Sequence, residues 1–347
     1  MANIKGYIGT YTKGDSKGIY SFTLNTDKQR IEQVEVAAEL GNPTYLTVSD
    51  DQKFVYAVVK DGDQGGIAAY QVDRETGKLT LINQELDEGA SPCHVTVDSK
   101  SKTAFSANYH KGTAEAYEIN QTDGSVVRTL SQAQHEGSGP NEDRQEKAHT
   151  HYFGLTPDDK YAVAVDLGTD RIYTYTLENG KLQLIHTFEA QAGSGPRHIT
   201  FHPTMNIAYV MTELSSEVIV LRYFEDGHFE AVQYISTIPT DFTENNQGSA
   251  IHVSSDGQFV YAGNRGHDSI AVLQTEEDGQ LRLVEITSSE GNWPRDFAVD
   301  PTEEFIVSSN QESNNLVLYK RDKETGQLTV LQSDVAVPHP VCVKFLR

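Results

Sequence analysis

His151, Arg197, Glu213 and Arg265 are the residues of this chain whose types could act on an anionic substrate. Guanidinium groups hold carboxylate or phosphate through paired N–H donors and stabilise an oxyanion. Histidine and glutamate are natural carriers of a proton near neutral pH. Arg295, His149, Asn264 and Asn310 occupy matching or adjacent positions and join the set as candidate substrate-binding residues. Such a set suits hydrolysis or isomerisation of a small anionic molecule, with no metal and no cofactor. Two plainer readings stand beside it. Glu213 with Arg197 or Arg265 could be a salt bridge between structural units, and His151 could simply fill space with a hydrogen-bonded imidazole.

These residues lie far apart in sequence, so a repeating architecture must bring them together. Pro43, Pro92, Pro196, Pro294 and Pro340 each open a similar run, spaced by about 49 residues or by its double. GNPTYLTVSDDQKFVYAVV starts at Gly41, SGPRHITFHPTMNIAYVMTE at Ser194 and NWPRDFAVDPTEEFIVSSN at Asn292. Short apolar runs rich in Val, Ile, Tyr and Thr are broken by Asp-Gly, Asp-Asp or Pro turns, which is strand spacing. Four strands per repeat and seven repeats predict an all-β, seven-bladed propeller over residues 1–347. HPVCVKFLR, from His339, supplies one strand of a seventh blade and GYIGTYTKGDSKGIYSFTL, from Gly6, the rest. That split blade would close the ring and remove two open sheet edges.

In a repeat fold, functional residues are expected where equivalent positions differ. The start of each innermost strand holds Thr44, Cys93, His151, Arg197, Ser249 and Arg295, with His339-Pro340 near it in the seventh blade. The end of each second strand holds Tyr109, Leu167, Glu213, Arg265 and Gln311, preceded by Asn108, Asp166, Thr212, Asn264 and Asn310. First and second strands form an antiparallel hairpin, so both columns should meet at one rim of the central channel.

Other features receive structural readings. His94, His198 and His252 are expected to face between blades, packing and bonding a neighbouring strand. Tyr56, Tyr161, Tyr209 and Tyr261 are expected to pack blade against blade. Gln132 to Ala148 is too long for a turn and reads as mobile or as a functional lid. Trp293 near the rim could flank a pocket, pack, or mark a protein-binding face. Net charge is −22, from 28 basic and 50 acidic residues, which argues against nucleic-acid or membrane partners. Cys93 and Cys342 fall in blades two and seven, too far apart to bridge. Free thiols and the absence of an apolar N-terminal stretch point to a cytoplasmic protein.

The N-terminal YIGTYT, the segment HTHYFGLTPDDKYAVAVDLGTDRI, GPRHITFHP, the TEL after the fourth blade's second strand, and GNRGHDSIAV together carry a resemblance. The chain resembles the seven-bladed lactonase propellers, a family that includes bacterial 6-phosphogluconolactonase and fungal carboxy-muconate cyclase. The resemblance implies a carboxylic-ester hydrolase taking a small anionic sugar lactone, 6-phospho-D-glucono-1,5-lactone, to 6-phosphogluconate in the pentose phosphate pathway. It places the family's His, two Arg and Glu on His151, Arg197, Arg265 and Glu213. Arg197 and Arg265, with Arg295 as a third candidate, would hold phosphate and polarise the carbonyl, while His151 or Glu213 activates water. A muconate-type cycloisomerase, a lactonase for another sugar acid, and a non-catalytic protein-binding propeller are the alternatives.

Overall fold

The strands of this chain lack the in-out alternation of a two-layer sandwich, and the packing explains why. Ile207–Thr212 and Phe259–Arg265 are buried along their whole length, because both faces of each blade lie against other blades. On one strand Val55, Ala57 and Val59 pack towards the seventh blade, while Tyr56 and Val58 pack towards the second. The described residues form seven apolar clusters, one at each junction between adjacent blades. The outer strands, such as Lys181–Glu189, face solvent and are mostly exposed or half-buried.

The computed structural model describes residues 3–347. The first two residues of the expected 1–347 unit lie outside the described residues. The strands make seven four-stranded antiparallel sheets arranged as a propeller. Blade one contains Leu46–Val48, Phe54–Asp61, Gln64–Val72 and Leu79–Glu88. Blade seven is split as expected: Pro340–Phe345 is its innermost strand and pairs with Asn3–Thr10, with Tyr7 opposite Lys344. The described residues contain no helix long and apolar enough to cross a membrane.

Adjacent blades are also joined by tyrosine hydroxyls. Tyr56 donates to the carbonyl of Gly124 at 2.9 Å and Tyr261 to that of Gly326 at 3.0 Å, each in the outer turn of the next blade. Tyr161 and Tyr209 make the same kind of bond, to Glu225 and Gly279. The turn glycines are required there. Gly124 and Gly326 have φ of 76° and 74°. A Cβ on either would fall 2.4 or 2.3 Å from Phe54 or Phe259 of the preceding blade.

Candidate active site

The innermost strands carry a recurring irregularity that aims side chains at the channel mouth. In blade three Thr150 pairs with Asp166 and Tyr152 with Val165, leaving His151 as an extra residue. Arg197 is the extra residue between Pro196 and His198, and Arg295 between Pro294 and Asp296. A β-bulge of this kind turns a side chain out of the ladder. Sequence comparison finds the column but not its cause, because a bulge is defined by the partner strand.

The end of each second strand returns beside the bulge. Glu213 donates its backbone N–H to Gly195 O at 2.7 Å, and Gln311 bonds Trp293 O in the same way. Glu213 thus sits between two arginines: Arg197 Nε lies 3.0 Å and Arg265 Nη2 2.7 Å from its Oε2. Both guanidiniums are anchored a second time, Arg197 Nη1 on Ser249 O and Arg265 Nη2 on Gly248 O, each at 2.8 Å. Arg144 takes the other carboxylate oxygen, Oε1. The inter-unit salt bridge considered from sequence therefore exists, but as a cluster of three cations on one carboxylate at the mouth.

These groups line a cavity of about 560 Å³ that includes Arg144, His151, Glu213, Arg265, Trp293 and Arg295. Arg265 lies 5.6 Å from the Trp293 ring centre and Arg295 5.5 Å from that of Tyr11, so two cations rest on aromatic faces. Trp293 flanks the pocket. Arg197 does not line this cavity; it borders a chamber of about 30 Å³ beneath it. That chamber shares Tyr11, Thr44, Cys93, His151 and Arg295 with the cavity, and Arg197 stands in its wall, bonded to Glu213.

Burial pushes the His151 imidazole well below its usual range, and the Arg197 charge adds to this against the opposing pull of Glu213. Burial alone would push Glu213 up, but Arg265 and Arg197, helped by His151 and Arg144, hold it well below the usual carboxylate range. Arg265 is drawn down to about 9 by burial, opposed by Glu213, and stays cationic at neutral pH. Cys93 also lines the cavity, but burial lifts its thiol to about 11, which removes a thiolate nucleophile from consideration at neutral pH.

Three candidates do not reach the cavity. His149 is turned away: its Nδ1 meets Tyr109 O at 2.8 Å, its Nε2 meets Glu146 at 2.9 Å, and its ring stacks on Tyr109. Asn264 and Asn310 are fully buried and donate at 2.9 Å to Thr237 O and Ser289 O. Asn108 does the same to Ala90 O at 2.8 Å. This asparagine staples the end of the second strand to the preceding inter-blade loop, and its recurrence in sequence was the signal of that structural role.

The histidine expectation also changes. Tyr45, His94, Tyr152 and His198, from blades one to four, meet as one ring cluster, with Tyr45 and His198 at 5.8 Å between ring centres. Blades one and four are not neighbours, so these side chains face the channel axis rather than an inter-blade junction. Lys344 lies 4.6 Å over the Tyr45 ring and 3.9 Å from Asp296. Tyr45 and His198 of this cluster line the small chamber that Arg197 borders. His94 still bonds the adjacent strand through Phe153 N–H at 3.4 Å, and His252 meets Asp296 at 3.4 Å.

The connecting segment is shorter than expected, since Val126–Gln134 is strand. The remainder of the segment is pinned. His135 joins Asp166 at 2.8 Å and the Tyr175 hydroxyl at 2.9 Å, and buried Gln145 donates to Leu167 O at 2.8 Å. This segment supplies Arg144, which sequence comparison missed because no other repeat has an equivalent position. Among the described residues no group of three or more His, Cys, Asp or Glu side chains converges as a metal ligand set. Cys93 and Cys342 are free thiols.

The chain is similar to four known references, a family model, a curated relative and two solved structures. A family model described as "Lactonase, 7-bladed beta-propeller" matches residues 5–345. A protein of Bacillus subtilis (strain 168) named 6-phosphogluconolactonase is 54% identical over 349 aligned positions, covering 100% of this chain and 99% of the relative. Among solved structures, a Lactobacillus plantarum protein has a TM-score of 0.95 at 41% identity, covering 99% of this chain and 100% of its own. A periplasmic gluconolactonase of Pseudomonas aeruginosa has a TM-score of 0.94 at 29% identity, covering 99% of each.

Proposed function

Because the chain belongs to the lactonase family of seven-bladed β-propellers, and so to the carboxylic-ester hydrolases, we propose that it hydrolyses 6-phospho-D-glucono-1,5-lactone to 6-phosphogluconate. The observation that carries this reading is a surplus of positive charge at the cavity, with Arg197 and Arg265 buried and Arg144 and Arg295 partly exposed. One carboxylate, Glu213, faces Arg144, Arg197 and Arg265, and Arg295 lines the same cavity. The rest of the chain is strongly acidic, at net −22. Cations sequestered from water in excess of their partners favour an anionic ligand. The 54% identical relative named 6-phosphogluconolactonase supports the choice of lactone.

In this reading a water oxygen attacks the lactone carbonyl carbon while His151, neutral at physiological pH, accepts the water's proton. Arg265 stabilises the oxyanion that forms. Collapse breaks the bond from the carbonyl carbon to the ring oxygen, which takes the proton back from His151. The carboxylic acid produced releases its own proton to solvent. Glu213 is a poor base because both its oxygens are occupied by guanidiniums; it aims Arg197 and Arg265. No step in this scheme draws on a metal, and the two free thiols suit a cytosolic site of action.

The test is coupled formation of 6-phosphogluconate from freshly generated lactone, above the spontaneous rate, with unphosphorylated gluconolactone run in parallel. Turnover of the phosphorylated lactone that is lost in His151→Ala is the expected result. Turnover confined to gluconolactone would favour a second reading, an unphosphorylated-lactone hydrolase, for which the Pseudomonas likeness speaks. Acceleration of neither would sink the lactone assignment and turn attention to muconate-type cyclisation.

A further inference from the structure

The four arginines at the pocket are not equivalent. Arg197 and Arg265 are about 2–3% exposed, and each divides its donors between Glu213 and a main-chain carbonyl. Neither can swing to a new position without abandoning a buried partner, although Arg265, whose two bonds both use Nη2, keeps donors over to meet an oxyanion from where it stands. Arg295 leans on Tyr11 and bonds Gln311 at 3.3 Å. Arg144 differs in origin and in freedom. It comes from the connecting segment between blades two and three, and its side chain is 30% exposed. It touches Glu213 Oε1 with Nη2 and lies beside the Tyr109 hydroxyl.

The backbone beneath Arg144 is fixed, and the side chain beyond it stays partly exposed. Gln145, fully buried, donates to Leu167 O at 2.8 Å and accepts from Asn141 N–H at 3.2 Å, and its own carbonyl takes Gly139 N–H at 2.9 Å. The guanidinium is therefore delivered to the cavity wall at a set height. Glu213 keeps it there, using the one oxygen that Arg197 and Arg265 leave over. Losing Arg144 to a ligand would not orphan Glu213, whose charge remains matched by two guanidiniums. A planar fork with spare N–H donors, already desolvated on one side, suits a phosphate monoester.

We infer that Arg144 is the specificity residue that selects a phosphorylated over an unphosphorylated substrate, by passing its donors from Glu213 to the substrate's phosphate. This rests on the lactonase reading for the sugar, though not for the charge it carries. The experiment compares kcat/KM for 6-phosphogluconolactone with that for gluconolactone in the wild-type protein, Arg144→Met and Arg144→Lys. The ratio of the two constants should fall by about tenfold or more in Arg144→Met, as loss of charge-assisted hydrogen bonds implies. The fall should be smaller in Arg144→Lys, which keeps the charge without the fork. A ratio unchanged in Arg144→Met would overturn the inference, because a residue that merely steadies Glu213 would affect both lactones alike. Calorimetric binding of 6-phosphogluconate and of gluconate supplies a readout independent of turnover. If neither lactone is hydrolysed the lactonase reading fails, yet binding still decides the role of Arg144. Wild-type preference for 6-phosphogluconate that vanishes in Arg144→Met upholds it; equal affinities in the wild-type protein, or a preference that survives in Arg144→Met, would refute it.

Discussion

At the scale of single residues, the proposed mechanism makes the protonation state of His151 decisive, because His151 is the base it assigns. Burial, reinforced by Arg197, holds its imidazole well below the usual value of 6.5. A base must be unprotonated to act, so activity should be lost only as pH falls through that depressed value. We expect kcat to stay level from pH 8 to below 6.5, with the substrate's own phosphate ionisation near pH 6 measured separately. An acid limb centred at or above 6.5 that disappears in no His151 variant would assign the base elsewhere. Residue type and column position together made His151, Arg197, Glu213, Arg265 and Arg295 visible in sequence, because each breaks a repeat. Arg144 was invisible for the converse reason, since it lies where no repeat offers a comparison. Asn264 and Asn310 misled because their recurrence, shared with Asn108, is the mark of a staple rather than of a ligand contact.

At the scale of elements, the bulge and the outer turn do different work on the same blade. In blades three, four and six the bulge turns one side chain of the innermost strand out of the ladder, which resumes after it. The strands themselves were legible from their apolar runs and turn residues, whereas the bulges were not, since they exist only in the pairing. The outer turn fixes the spacing between blades. Gly326 combines a φ of 74° with a Cβ position 2.3 Å from Phe259 Cδ1. Gly326→Ala should therefore cost more than backbone strain alone, about 2 kcal/mol or more, because Phe259 of the preceding blade must shift. Gly14 is the control: its φ is 55°, but nothing lies within 4 Å of an added Cβ. Gly14→Ala should cost about 1 kcal/mol. Urea unfolding of the two variants checks this, and equal losses would mean that the inter-blade contact yields without penalty.

At the scale of the whole molecule, ring closure and the small chamber beneath the cavity share one carboxylate. Asp296, in the innermost strand of blade six, accepts Val343 N–H from the C-terminal strand at 2.9 Å and lies 3.9 Å from Lys344. It therefore ties blade six to the strand that closes blade seven, directly under the cavity. Burial would raise its pKa, but Lys344, His252 and the Val343 N–H outweigh that and bring it from 3.8 to about 2. A carboxyl depressed on folding stabilises the native state fully above its unfolded value and loses that contribution as pH falls through the folded one. The window here runs from about pH 4 down to about pH 2, and the contribution is on the order of 2 kcal/mol. Asp296→Asn should accordingly unfold at a lower temperature than the wild-type protein at pH 7, by more than this linkage alone because Lys344, partly buried, loses its carboxylate and keeps only the Tyr45 hydroxyl and ring. The gap between the two should narrow as pH is taken from 4 towards 2, where the wild-type protein loses its own pairing. A gap that stays constant over that range would show that Asp296 titrates as an ordinary carboxyl, and that closure of the ring rests on the strand ladder of blade seven alone.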